Sequence, residues 1–225
     1  ESEILHEFNR HGARFPSYNS IIAGGDNACI LHYTENDQPL KDGDLVLIDA
    51  GCEFAMYAGD ITRTFPVNGQ FTQPQREIYE LVLKAQKRAI ELLVPGNSIK
   101  LANDEVIRIK TQGLVDLGIL KGDIDKLIKE KAYRQFYMHG LGHWLGLDVH
   151  DVGRYDDDRS RTLEVGMIIT VEPGIYISEE ADVPAQYKGI GVRIEDNLLM
   201  TEYGNKNLTA AAPKEIDDIE NLMKN

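Results

Sequence analysis

The clearest periodicity in the chain lies between residues 71 and 96, "FTQPQREIYELVLKAQKRAIELLVPG". Ile78, Leu81, Val82, Ala85, Ala89, Leu92 and Leu93 recur at the spacing of one helix face. Thr72 and Gln75 form a capping-box pair, Pro74 suits the first turn, and Pro95-Gly96 ends the run. Ser98 can cap a second helix reaching about Leu117, and Asp123 a third, shorter one. At the start, "ESEILHEFNRHG" places Ile4, Leu5 and Phe8 on one helical stripe, with Gly12 as the stop. That helix has no capping turn and no initiator Met before it, so the expectation is a piece of a longer chain, cut within or near a helix. The tail "KEIDDIENLMKN" predicts a short polar helix.

Elsewhere the apolar runs are short and bounded by turn residues, the pattern of strands. "SYNSIIAGGDNACILHYTEND" fits short strands, and "LKDGDLVLIDAG" a turn followed by a buried strand. From Phe136 onward the chain reads as strands and loops, with "GMIITVEPGIYI" and "GIGVRIEDNLLMT" the strongest strands. Two of these stretches match each other. "LKDGDLVLIDAG" (40–51) and "LEVGMIITVEPG" (163–174) align with Leu on Leu, Gly on Gly, and Asp49 on Glu172. The repeat predicts two related half-domains, each ending a buried strand in a carboxylate.

Composition narrows the function classes. The 225 residues carry a formal net charge of −13 and are 42% hydrophobic, enough for a sizeable core. An acidic chain repels phosphate backbones, which argues against nucleic acid as a partner. No apolar run approaches the roughly 20 residues of a membrane span, and no signal peptide is visible. Two cysteines, Cys29 and Cys52, without CxxC spacing point to a reduced, cytoplasmic setting.

The acids then raise the chemical question. A carboxylate at a strand end costs several kcal/mol if it is desolvated and unpaired. Two such acids facing each other need a cation, and a divalent metal is the usual one. Asp60 opens the run "ITRTF", and Glu195 follows Arg193 in "GVRIEDN". His139, His143 and His150 lie among glycines in "MHGLGHWLGLDVHD". Carboxylates with imidazole and no thiolate are the ligand set of manganese, cobalt, zinc or iron(II). Each residue alone admits a plainer reading. Asp49 can cap a turn with Gly51, Asp60 can pair with Arg63 on the surface, and Glu195 can pair with Arg193 or a cross-strand Lys. His6 and His11 read as packing or surface, Trp144 as core, and "RYDDDRSR" as a solvated loop. The four-residue spacing of His139 and His143 suits a helical metal pair, but Gly140 and Gly142 between them argue against a helix.

Taken together, these stretches resemble the metallopeptidases of the creatinase/methionine-aminopeptidase, or pita-bread, family. Within it the likeness is to the proline-specific aminopeptidases of bacteria. "HEFNRHGARFPSYNSIIAGGDNACILHYTEND", "DGDLVLIDAGCEFAMYAGDITRTFPVNGQFT", "MHGLGHWLGLDVHDVG", "LEVGMIITVEPGIYI" and "GIGVRIEDNLLMT" carry the resemblance, which covers essentially the whole chain. It implies an α+β fold of two pseudo-symmetric halves around a dinuclear metal site, in one catalytic domain over residues 1–225. The family's N-terminal domain would lie outside this chain. The implied metal ligands are Asp49, Asp60, His143, Glu172 and Glu195, holding two divalent ions, manganese first among them. Asp49 and Glu195 would serve one ion, and His143 and Glu172 the other. The implied reaction releases the residue preceding proline from a peptide's N-terminus, with a metal-bridged hydroxide as nucleophile and Glu172 as base. His139 would donate to the oxyanion, His32 and His150 would line the substrate cleft and handle the proline carbonyl or a proton, and Arg193 would orient Asp49. A homo-oligomer is implied for the full-length form. Two alternatives stand beside this: a dipeptidase of the same fold restricted to Xaa-Pro, and a non-catalytic peptide-binding domain.

Overall fold

The computed structural model describes residues 1–224. Its order is α1 (Ser2–Arg10), β1 (Phe15–Pro16), β2 (Ile21–Gly24), β3 (Leu45–Asp49), β4 (Cys52–Phe54), β5 (Tyr57–Ala58), β6 (Thr62–Pro66), α2 (Gln73–Leu92), α3 (Ile99–Asp116), α4 (Ile124–Lys129), β7 (Ile168–Val171), β8 (Gly174–Ile177), β9 (Ile190–Arg193), β10 (Asp196–Thr201), β11 (Gly204–Asn207) and α5 (Ile216–Leu222). Every strand pairing is antiparallel.

The long helices start where their caps stand. Thr72 and Gln75 satisfy each other's backbone at the head of α2, Ser98 accepts from the Leu101 amide of α3, and Asp123 from the Lys126 amide of α4. The apolar face of α2 is the spine of the core. Ile78, Tyr79, Leu81 and Val82 pack on β8 and β9 through Ile175, Ile177 and Val192. Ala85, Ala89 and Leu93, with Ala102 and Val106 of α3, pack on β7 and β10 through Ile169, Val171 and Leu198. The tail helix α5 is amphipathic rather than polar, since Ile216 and Ile219 are buried in the same core. α1 forms on its stripe, but Ile4, Leu5 and Phe8 are only half-buried, so no residue of that helix joins the core.

Two expectations are corrected. Residues 168–177 and 190–201 are not single strands. Each divides, at Glu172-Pro173 and at Ile194-Glu195. Proline cannot donate to a ladder, which explains the first break. In the second, Glu195 turns its amide to the Thr62 carbonyl at 3.0 Å instead of continuing a ladder. The stretch expected to hold several short strands forms only β2, followed by a 3-10 turn over Gly25–Cys29.

The repeat corresponds to a real likeness between halves. β3 lies between β2 and β6, with Asp49 opposite Thr62. β7 pairs with β10, with Val171 opposite Asp196, and bridges to Trp144 on its other side. In each half, the outgoing strand ends at an acid and the returning strand begins just after one. Asp49 and Asp60 flank the β3–β6 pair, and Glu172 and Glu195 the β7–β10 pair.

Candidate metal centre

Glycines bring these strand ends close. A Cβ on Gly51 would collide with the Gly59 carbonyl, so only glycine lets the chain double back from Asp49 to Asp60. A Cβ on Gly142 would strike the Thr170 carbonyl, so the histidine loop can lie flat against β7. That loop is not helical: the His143 amide donates to Thr170 Oγ1 at 3.0 Å, and the Thr170 amide to the His143 carbonyl.

All five candidate ligands line one cavity of about 680 Å³, together with His32, His139, His150 and Arg193. One ligand atom each from Asp60, His143 and Glu195 lies within 4.8 Å of the others. His143 Nε2 stands 3.3 Å from Asp60 Oδ2 and 3.5 Å from Glu172 Oε1, so the imidazole sits between those two acids rather than with Glu172 alone. Each acid has a fixed orientation. Arg193 Nη2 donates to Asp49 Oδ2 at 2.6 Å, Thr62 Oγ1 to Glu195 Oε2 at 2.7 Å, and Thr170 Oγ1 to Glu172 Oε1 at 3.3 Å. Tyr18 reaches Asp49 Oδ1 at 2.5 Å and Asp60 Oδ1 at 2.6 Å. A phenol has one proton to give, so Tyr18 donates to one of these two carboxyl groups at a time.

The plainer readings of two acids are set aside by their partners. Arg193 pairs with Asp49 and not Glu195, and Arg63 pairs with Asp196 and not Asp60. Four carboxylates therefore face a single buried guanidinium. The electrostatics record the imbalance. Burial, then the neighbouring acids, raises Glu195 well above the carboxylate range. Burial likewise pushes Glu172 up to about 7, against the pull of His143 and Arg193. Burial also raises Asp49, with the Arg193 charge opposing. For His143 burial works against the charge, but the Asp60 hydrogen bond and the Glu172 charge outweigh it and raise the pKa. An oxygen-rich set with one imidazole and an unbalanced negative charge fits a hard or borderline divalent ion.

His139 stands beside this cluster, 3.8 Å from Glu172 Oε2. Its Nδ1–H donates to the Gly140 carbonyl at 2.8 Å, and its Nε2 accepts from the Tyr176 hydroxyl at 2.8 Å. Tyr176 in turn accepts from Arg193 Nη1 at 3.0 Å. Burial and the Lys110 and Arg193 charges lower His139 to about 3, so the ring is neutral. His150 packs edge-on against His143, with ring centroids 4.4 Å apart, and burial and that neighbour lower its pKa. His6, on α1, and His11, at its C-cap, are exposed. The loop read as solvated is partly not so: Tyr155 stacks on buried Trp144, and Arg159 Nη1 donates to the Gly142 carbonyl at 2.6 Å and lines the cavity. Tyr18, Thr62, Thr170, Tyr176 and Arg159 carry no sequence signal that marks them for this site.

The model of metallopeptidase family M24 matches residues 1–202. The chain belongs to this family. It is 88% identical to the Xaa-Pro aminopeptidase of Haemophilus influenzae over 223 residues, covering 99% of this chain and 52% of that protein. It is 64% identical to that of Escherichia coli, covering 99% of this chain and 51% of that one. The chain thus spans about half the length of these relatives. Among solved structures, zinc-substituted E. coli aminopeptidase P in complex with product superimposes with a TM-score of 0.98 at 64% identity. A glutamate-to-alanine variant of that enzyme in complex with substrate gives 0.98 at 63% identity. Each covers 99% of this chain, which covers 51% of either. The M24 chain has the pita-bread fold of its family, and the two-half arrangement of strands and acids is its expression here. Metallopeptidase membership and the acid–imidazole cluster agree on divalent metal use. Among the described residues no helix is long and apolar enough to cross a membrane.

Proposed function

We propose that residues 1–225 form the catalytic domain of a manganese-dependent aminopeptidase that releases the N-terminal residue from peptides with proline in second position. One observation carries the reading: four strand-end carboxylates and His143 converge in one cavity against a single buried guanidinium, in a chain 88% identical to a relative named Xaa-Pro aminopeptidase. Asp49, Asp60, His143, Glu172 and Glu195 would hold two divalent ions. Bound there, such ions supply Lewis acidity and a water acidic enough to attack at neutral pH.

The protein's own groups do the rest. Arg193, Thr62 and Thr170 each fix one oxygen of Asp49, Glu195 and Glu172, and Tyr18 holds the second oxygen of Asp49. Glu172 takes the proton of the attacking water, since it is the acid most open to the cavity, with 18% of its side chain exposed. His139 offers a neutral donor for the oxygen that becomes negative, which requires its Nδ1–H to leave the Gly140 carbonyl. His32 and His150 line the cavity and serve the proline carbonyl or the departing amine. The bond cleaved joins an imide nitrogen without an N–H. Recognition therefore rests on ring shape, for which Ile21 and Leu31 supply apolar lining. Cys29 and Cys52 are free thiols, which suits a cytoplasmic setting.

The test is metal content and peptide cleavage measured on one preparation of this chain. Two manganese ions per chain and release of the first residue from Xaa-Pro-Xaa, but not Xaa-Ala-Xaa, support the reading. Cleavage of Xaa-Pro dipeptides alone replaces it with a dipeptidase. A metal-loaded chain that binds such peptides and cleaves none leaves a binding domain.

A further inference from the structure

Behind the carboxylate cluster, on the side away from the cavity, one arginine touches both halves of the fold. Arg63 Nη1 donates to the Thr62 carbonyl at 2.9 Å and to the Glu195 carbonyl at 2.5 Å. Its Nη2 donates to Asp196 Oδ1 at 2.8 Å and to the Ala212 carbonyl at 2.9 Å, and its Nε to the Pro213 carbonyl at 3.1 Å. Only 11% of the side chain is exposed. Thr62 and Glu195 are themselves joined, side chain to side chain at 2.7 Å and Glu195 amide to Thr62 carbonyl at 3.0 Å. The guanidinium thus spans the start of β6, two residues beyond Asp60, and Glu195, the residue just before β10.

Its position is set from further along the chain. Asp196 is fully buried and accepts from Gln86, Lys214, Asn207 and Thr209, at 2.6, 2.5, 2.9 and 2.7 Å. Three of those four donors lie in residues 207–214, the segment leading into α5. The tail therefore does more than cover the core: it supplies carbonyls and donors that fix one arginine against the backbone of a candidate metal ligand.

We infer that Arg63 is a positioning residue of the metal centre, setting the distance between the Asp60-bearing and Glu195-bearing strand ends, and that residues 207–214 act through it. The inference rests on the metal-site reading of Asp60 and Glu195. A flexible substitute would let the two strand ends separate, although no ligand is lost. Groups that orient metal ligands are worth roughly 10–100-fold in metal affinity.

The experiment compares Arg63→Met, Arg63→Lys and Arg76→Met with the unaltered chain. Arg76 is the control, because it also anchors the tail, through Glu220 of α5 at 2.9 Å, without touching a ligand-bearing strand. Manganese affinity and stoichiometry are measured by equilibrium dialysis, and ligand geometry by the visible absorption of the cobalt(II)-loaded chain. Arg63→Met is expected to bind manganese about 10–100-fold more weakly and to show an altered cobalt spectrum. Arg63→Lys, which keeps a charge for Asp196 but not the fork, falls between. Arg76→Met loses thermal stability and keeps the affinity and spectrum. Manganese affinity of Arg63→Met within about threefold of the parent, well inside the range expected for an orienting group, overturns the inference. So does an equal loss in Arg76→Met. If Arg63→Met fails to fold, Arg63→Lys decides on the same criteria. An unaltered chain that takes up no manganese overturns the metal-site reading instead, a separate result.

Discussion

Glu195 and Asp196 are consecutive, each no more than 1% exposed, and in opposite electrostatic states. Asp196 faces Arg63 at 2.8 Å and Lys214 at 2.5 Å, and those cations, against the cost of burial, hold it down at about 2. Glu195 has the Thr62 hydroxyl and three other acids nearby, and burial drives it up. Alternation across the strand explains how neighbours diverge: one side chain points to the tail, the next to the cavity. The difference teaches how a structural carboxylate is told from a functional one. The first is balanced by groups the chain already supplies. The second is left in deficit, and on the proposed reading a bound cation supplies the missing charge.

The largest effect lies among the acids in deficit. Glu172→Gln keeps the size of the side chain and removes its capacity to take a proton. We expect turnover on an Xaa-Pro-Xaa peptide to fall by about 10²–10⁴, the worth of general base catalysis. Circular dichroism should be unchanged. Retention of more than about a tenth of kcat, well above that range, removes Glu172 as the base.

Next come identical changes at the two neighbours. Asp196→Asn leaves Arg63 and Lys214 buried without their anion, a break worth about 3–5 kcal/mol of stability. Glu195→Gln replaces a side chain that burial and the neighbouring acids already drive towards its protonated form in the chelated chain. It should leave that chain as stable as the parent or more so, and weaken manganese binding. Urea unfolding in chelator reads both, and equal destabilisation by the two substitutions would dissolve the comparison.

The pH dependence separates the same two classes. Glu172 rises from its ordinary 4.5 to about 7 in the fold, so the folded metal-free chain holds a proton that the unfolded chain releases. Stability from this group is present below pH 4.5 and is lost as pH rises towards 7, by on the order of 3 kcal/mol. Asp196 falls from 3.8 to about 2, so its contribution, about 2 kcal/mol, is present above pH 3.8 and is lost as pH falls through 2. Thermal unfolding of the chelated chain should therefore peak on the acid side of neutrality, and added manganese, which needs deprotonated ligands, should move the peak upward. A chelated chain that gains stability steadily between pH 4.5 and 7 contradicts the assignment.

Much of this was legible in the residues, and the remainder was hidden for identifiable reasons. α2, α3 and α4 announce themselves by caps and periodicity because local chemistry ends a helix. Asp49 and Glu172 stand out because an internal repeat puts acids at two equivalent strand ends. Asp60 and Glu195 do not, since arginines nearby in sequence offer ready partners. Only the tertiary structure reveals that Arg63 and Arg193 are engaged elsewhere. The strand breaks at Glu172 and Glu195 were missed because apolar alternation continues through both. The choice of His143 over His139 came from resemblance to a family, since both sit among glycines in the same loop. Tyr18, Thr62 and Thr170 act through hydroxyls, which occur throughout any sequence and become informative only when a carboxylate lies within 3.3 Å.

Tyr18 supplies the smallest and most discriminating test. Its hydroxyl bridges Asp49 and Asp60, two acids whose mutual repulsion is also relieved by Arg193 on the Asp49 side and by His143 on the Asp60 side. Burial and the two acids raise the phenol well above its ordinary value, so it stays a donor at any working pH. Tyr18→Phe removes that donor and little volume. In the chelated chain it should cost about 1.5–3 kcal/mol, as expected for a hydrogen bond to a charged group. For a chain of this size that is about 2–4 °C in Tm per kcal/mol. With manganese bound, the ions take over the neutralising of Asp49 and Asp60, and the loss should shrink. A loss of equal size with and without metal would show that Tyr18 acts by packing alone and that its two short contacts do not answer the charge deficit of the cluster.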